Sequence, residues 1–177
     1  MVELTAKTPC AGLLPVAYGA LTLRELAVAH ITSVAPLKGQ HEAVSSVVKS
    51  AVGAGLPDPG RALKGAKGEV VWSGKDQFFV LDAELPKLNA ATTDQSDAWA
   101  VVALEGEGAA EVLARLCPLD FGRMAEGDAA RSRIGHMSAV IIARSDGYDL
   151  MVFRSMAKTL VHELSVAMKG VASRAAL

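Results

Sequence analysis

Apolar and polar positions alternate along LRELAVAHI, Leu23 to Ile31, and this period of two predicts a β-strand after an irregular first twenty residues. The period then changes. In QHEAVSSVVKSAVG the apolar positions Val44, Val47, Val48 and Ala51 recur at helical spacing with Ser45 and Lys49 opposite, which predicts an amphipathic helix that Gly53 and Gly55 end. The next stretch, Gly53 to Gly68, is broken by five glycines and two prolines and reads as a long surface loop and the mobile region of the chain. EVVWSG and QFFVLDA follow as strands around Gly74-Lys75-Asp76, a composition suited to a hairpin turn.

The same order returns further on. DAWAVVALEG reads as a strand, GAAEVLARLC as a helix, and ARSRIGHMSAVIIARSDGYDLMVF as strands that turn near Gly135 and Asp146-Gly147. A closing helix follows Ser155, read as its N-cap, with Met156, Leu160, Leu164 and Met168 on one stripe. The expected architecture is an α+β domain of two β-α-β-β pseudo-repeats, with helices packed on antiparallel sheet. Residues 1–22 read as an extended N-terminal arm, and 23–177 as one α+β domain in two halves, 23–92 and 93–177.

Composition supports a packed chain: of 177 residues, 51% are hydrophobic and 21% charged, enough apolar surface for a substantial core. Eighteen basic against nineteen acidic residues give a net charge of −1, with no basic block to hold a phosphate backbone, so nucleic acid is not an expected partner. No stretch approaches the roughly 20 apolar residues of a membrane helix, and Glu3, Pro9 and Pro15 interrupt the start where a signal peptide would need a basic end and an unbroken apolar run. Two distant, unpatterned cysteines, Cys10 and Cys117, suit a reducing compartment, and the chain reads as cytoplasmic.

The candidate chemistry thins out on inspection. Cys117 in CPLDFGRM could be a nucleophile, a metal ligand or the end of a helix. Pro118 removes an amide hydrogen and pushes Cys117 out of the α region, and a thiolate at a helix C-terminus meets the negative end of the dipole, so a satisfied, partly buried thiol is the favoured reading. His30, His41, His136 and His162 show no i, i+4 pairing. Gly106-x-Gly108 follows a strand and opens a helix as a dinucleotide fingerprint does, but Glu111 stands at the third glycine and Glu105 and Glu107 would repel a pyrophosphate. Arg131 and Arg133 share one strand face, with His136 at the following turn. That face either holds an anion or an acidic partner or is simply solvated. Trp72, Phe78, Phe79 and Trp99 read as core rather than as a cage. No residue is assigned a catalytic, cofactor-binding or metal role.

The chain nevertheless resembles a known family. Ser96-Asp97-Ala98-Trp99 opening a strand, Gly106 to Leu113 on the helix, Cys117-Pro118-Leu119-Asp120, Arg131 through Gly135, Gly147-Tyr148-Asp149-Leu150 and Arg154-Ser155 are, in that order, similar to the gamma subunit of bacterial heterotetrameric sarcosine oxidase. VVWSGKDQFFVL is similar to the family's tryptophan, glycine, acidic and aromatic pattern, with departures at Ser73, Lys75 and Gln77. The resemblance implies a fold like the folate-binding domain of the glycine-cleavage aminomethyltransferase, and alpha, beta and delta subunits as partners. It also implies a complex that demethylates sarcosine oxidatively, releasing the methyl carbon as formaldehyde or passing it to tetrahydrofolate. FAD, FMN, NAD, tetrahydrofolate and zinc are expected in those partners and none in this chain. Two other readings stay open: a stand-alone folate-binding or aminomethyltransferase-like protein, which needs an acidic residue facing the pterin in a central pocket, and a thiol enzyme using Cys117.

Overall fold

In the computed structural model, which describes residues 5–175, two antiparallel sheets lie face to face and helices cover both outer faces. The strands are β1 (Val16–Tyr18), β2 (Leu21–Glu25), β3 (Ile31–Pro36), β4 (Ala62–Gly65), β5 (Gly68–Gly74), β6 (Gln77–Leu81), β7 (Ala90–Asp94), β8 (Trp99–Glu105), β9 (Ala129–Ile134), β10 (Met137–Arg144) and β11 (Gly147–Phe153). The α-helices are α1 (His41–Val52), α2 (Ala109–Ala114) and α3 (Ala157–Ala175). One sheet has the order β1-β2-β8-β11-β10-β9 and the other β4-β5-β6-β3-β7.

Strand alternation builds the layers, because successive side chains leave a strand on opposite faces. Along β8, Trp99 and Val101 point between the sheets while Ala100, Val102 and Leu104 point to α2 and α3. Val71, Phe79 and Leu81 likewise join the inter-sheet core, and Val70, Phe78 and Val80 pack under Val44, Val48 and Val52 of α1. Because both faces of the central strands are covered, they read as apolar runs, unlike the half-exposed strands that alternate.

The two halves share one path: a strand, a helix, and a three-strand meander whose last strand returns beside the first. In the first half this is β3-α1-β4-β5-β6, in the second β8-α2-β9-β10-β11. Their entry points meet in a symmetrical contact. Ala62 N–H donates to the Gly127 carbonyl at 2.8 Å and Ala129 N–H to the Gly60 carbonyl at 2.8 Å, around the bridge between Arg61 and Asp128. Register then fixes the equivalences. Ala62, Val71 and Phe79 correspond to Ala129, Ile142 and Asp149, and the pair Ile31 and Leu81 corresponds to Val101 and Met151.

Several expectations need correction. Each half is β-α-β-β-β rather than β-α-β-β: in the first, Ala62–Gly65, inside the expected loop, forms β4 against β5, and in the second the turns at Gly135 and Asp146-Gly147 separate three strands, β9, β10 and β11. The strand expected over Leu23 to Ile31 is two strand ends, β2 and β3, in different sheets, with residues 26–30 crossing between them. The arm drawn as 1–22 does not lie outside the fold. β1 and β2 extend the first sheet through β8, Cys10 is fully buried, and the boundary at 22 cuts β2; the expected behaviour of residues 1–4 lies outside the described residues. Apolar side chains at Cys10, Leu21 and Leu23 find a core within the chain, so this segment does not need another subunit to cover it. Ser155 sits inside a short 3-10 turn, Arg154–Met156, rather than capping α3, and Met156 is exposed; the buried stripe of α3 runs Leu160, Leu164, Met168. In α1, Val47 faces solvent, and Gly53 closes the helix in the left-handed conformation, its N–H donating to the Lys49 carbonyl.

Candidate functional site

Residues 26–28, crossing from one sheet to the other, form the wall of a cleft of about 350 Å³ that opens between the sheets. Its opposite side carries Gly68, Glu69, Asp82, Arg144 and Asp149. Local chain geometry places each. A Cβ at Gly68 would fall on the Leu81 carbonyl, so only glycine lets β5 begin so close to β6. Arg144 ends β10, and Asp149 lies on β11 opposite Ile142, so the two side chains share the inter-sheet face of one hairpin.

Three charged side chains meet there. Arg144 donates through Nη1 and Nη2 to both carboxylate oxygens of Glu69, each at 2.7 Å, and through Nε to Asp149 Oδ2 at 2.6 Å. Only 13%, 11% and 16% of the Arg144, Glu69 and Asp149 side chains remain accessible, so water screens this triad weakly. Burial favours the neutral guanidine, but the bidentate Glu69 contact and the Coulombic pull of Glu69 and Asp149 outweigh it and hold Arg144 more firmly protonated than usual. Burial pushes the Asp149 carboxyl above its ordinary value. Arg144 opposes that shift, the Glu69 charge adds to it, and Lys64 eases it. Chemically the triad is a clamp joining β5 of one sheet to β10 and β11 of the other. The fork of Arg144 is filled by carboxylates, and Asp82 Oδ1 accepts the Ala29 N–H at 2.7 Å.

A second cleft of about 490 Å³ uses the other side of residues 26–28, with Lys7, Glu25, Ser96, Trp99 and Arg154 around it. Its polar groups also satisfy one another. Glu25 accepts from the Thr8 hydroxyl at 2.7 Å and the Cys10 amide at 2.9 Å, Ser96 Oγ donates to Asp94 at 2.6 Å, and Arg154 donates to the Lys7 carbonyl. Burial, with the neighbouring Glu25 charge and its hydrogen bond, pushes the Cys10 thiol up to about 11, the reverse of an activated nucleophile.

The residues singled out from sequence do not assemble into one site. Cys117 is buried just beyond α2, with its amide bonded to the Leu113 carbonyl and its Sγ 3.6 Å from Ser132 Oγ. At Gly106, φ is 105° and a Cβ would fall on the Ala20 carbonyl, so the approach of β2 accounts for that glycine; Glu105 pairs with Arg24, and Glu111 with Arg115 and Arg174. Arg131 donates to the Ser73 carbonyl at 3.1 Å and ties β9 to β5, while Arg133 and His136 are exposed. The aromatics split between two cores: Phe79 and Trp99 meet edge to face at 5.1 Å between the sheets, and Phe78 and Trp72 lie under α1. Among the described residues no group of three or more His, Cys, Asp or Glu is placed to hold a metal ion, and no helix is long and apolar enough to cross a membrane.

No local pattern in the sequence marks the triad. Glu69 shares a strand face with Val71 and Ser73, but Val70 between them is buried too, so no alternation marks Glu69 as special. Its partner Arg144 lies 75 positions away.

No protein-family model matches this chain, and no curated protein matches it. Among solved structures, the heterotetrameric sarcosine oxidase from Corynebacterium sp. U-96, in complex with pyrrole 2-carboxylate, contains a similar chain. The two are 23% identical over 94% of this chain and 96% of that one, with a TM-score of 0.79. At that identity the likeness establishes a shared fold.

Proposed function

We propose that this chain is a non-catalytic gamma subunit of a heterotetrameric, sarcosine-oxidase-type complex in the cytoplasm. The observation that carries the reading is the shared fold over nearly the whole of both chains, one of them a component of a heterotetrameric enzyme. The ordered motifs from Ser96 to Ser155 support the same family. The complex would demethylate sarcosine oxidatively to glycine, with the methyl carbon released as formaldehyde or passed to tetrahydrofolate. Flavins, NAD, folate and zinc would reside in the alpha, beta and delta partners. The inter-sheet clamp is consistent with a structural role, because Arg144, Glu69 and Asp149 spend their charges on one another.

The stand-alone folate-binding reading ranks second. A pterin needs a carboxylate free to receive it, and both acids of the triad are engaged by Arg144. The deciding experiment is co-expression with and without alpha, beta and delta partners. The lone chain should be colourless and inert toward sarcosine, and should co-purify with the partners and raise the yield of intact complex. Flavin bound stoichiometrically to the lone chain, or tetrahydrofolate binding to it in calorimetry, would return ligand binding to first place.

A further inference from the structure

We infer that the free edge of β7 is a self-association surface, through which two copies of the isolated chain pair β7 to β7 in antiparallel fashion about a two-fold axis at Thr92. The inference does not depend on the subunit reading.

Edge strands present unpaired amides and carbonyls, and proteins blunt them with charge, proline, brevity or a covering element. Three of the four edges here are treated so. β1 is three residues long and packs against α3. β9 carries Arg131 and Arg133. β4 is four residues with Lys64 and a terminal glycine, and the chain just before it is bonded to that preceding β9. β7, Ala90–Asp94, is the least protected: the stretch is AATTD, Ala91 through Asp94 are exposed, its one charge, Asp94, stands at its end, and among the described residues no proline, basic residue or covering element blocks its outer side.

Register shows which groups point outward. Leu37 N–H donates to the Asn89 carbonyl and Gln95 N–H to the Ile31 carbonyl, so the odd-numbered residues of this segment bond to β3. Ala90, Thr92 and Asp94 therefore turn their amides and carbonyls away from the sheet. A second β7 laid antiparallel sets Thr92 against Thr92 and Ala90 against Asp94 on either side, matching each outward residue with another. Charge agrees with this direction. Exposed Lys38 and Lys87 flank the Ala90 end, and Asp94 and exposed Asp97 mark the other, so the two-fold brings the basic end of one copy to the acidic end of its mate.

Sedimentation velocity on the purified full chain tests this. The wild type should show a concentration-dependent dimer. Thr92→Pro removes one outward amide while leaving the bonds to β3 in place, and Thr92→Lys adds a charge to the edge; each should weaken the dimer by at least about tenfold with an unchanged circular dichroism spectrum and melt. Lys87→Glu and Asp97→Lys should each weaken it, and the double variant should recover most of the loss. A wild-type chain that stays monomeric at every concentration, or a dimer indifferent to both folded Thr92 variants, overturns the assignment.

Discussion

Phe79 and Asp149 occupy equivalent places in the two halves of the molecule, one on β6 and one on β11, yet one builds core and the other builds a cleft. Phe79 packs on Trp99, filling the inter-sheet space on its side. Counted along the matched strands, the position equivalent to Trp99 is Ala29, so the second side holds a carboxylate and a methyl group where the first holds two aromatic rings. Glu69 and Arg144 break the correspondence further: Glu69 stands where the opposite half has Val140, and Arg144, opposite Gly147, matches Gly74, opposite Gln77 beyond a bulge. The halves thus repeat a path and not a chemistry. An ion cluster and an aromatic pair solve the same packing problem between the sheets, and a cleft lies beside each: one lined by the three charges, the other by the edge of Trp99.

The largest effect should come from removing the shared cation. Arg144→Met strands two buried carboxylates and should cost about 3–5 kcal/mol of unfolding free energy, read from urea denaturation. Replacing Glu69 and Asp149 by apolar residues as well should recover most of that loss, since the buried charges then vanish together. If the triple variant is no better than Arg144→Met, the triad does more than close the gap between sheets. On the aromatic side, Phe79→Ala should cost about 3 kcal/mol by opening a cavity against Trp99. A loss under about 1 kcal/mol would show that the neighbours of Phe79 collapse into the space it leaves.

A gentler test separates the two acids. The folded Asp149 carboxyl lies above its ordinary value, so its contribution to stability is present at acid pH, below the unfolded value near 3.9, and is lost as pH rises through the folded value. Asp149→Asn removes this titration. The melting temperature of the variant relative to wild type should therefore rise between acid and neutral pH. A difference that instead falls with pH would mean that the Arg144 contact, not burial, governs Asp149.

How much of this could be read from residues alone varies with what sets each element. β8, β10, β11 and the β5-β6 hairpin were legible, because long apolar runs are bounded by turn residues such as Asp146-Gly147 and Gly74. β4 was hidden in a stretch whose glycines and prolines say loop; its place depends on bonds to Gly127, remote in sequence and invisible to any local window. β1 and β7 are short and weakly patterned, and they are strands because β2 and β3 offer them edges. The triad needs partners 75 positions apart, and periodicity carries no sign of that pairing.

The smallest expected effect concerns the residue with the most conspicuous local motif. Cys117 is buried beyond α2, its amide is already bonded to the Leu113 carbonyl, and the atom near its sulfur is the hydroxyl of Ser132 rather than a base. Serine keeps the donor and offers Ser132 a stronger partner, but exchanges a soft, apolar sulfur for a smaller polar oxygen in a packed site. Cys117→Ser should therefore lower stability by about 1 kcal/mol and, under the proposed function, leave turnover by the assembled complex nearly unchanged. The thermal melt and sarcosine-dependent activity of the co-purified complex measure both. An activity loss beyond about a hundredfold in a correctly assembled variant would give the second half a chemical role that its packing does not suggest, and would reopen the thiol-enzyme reading.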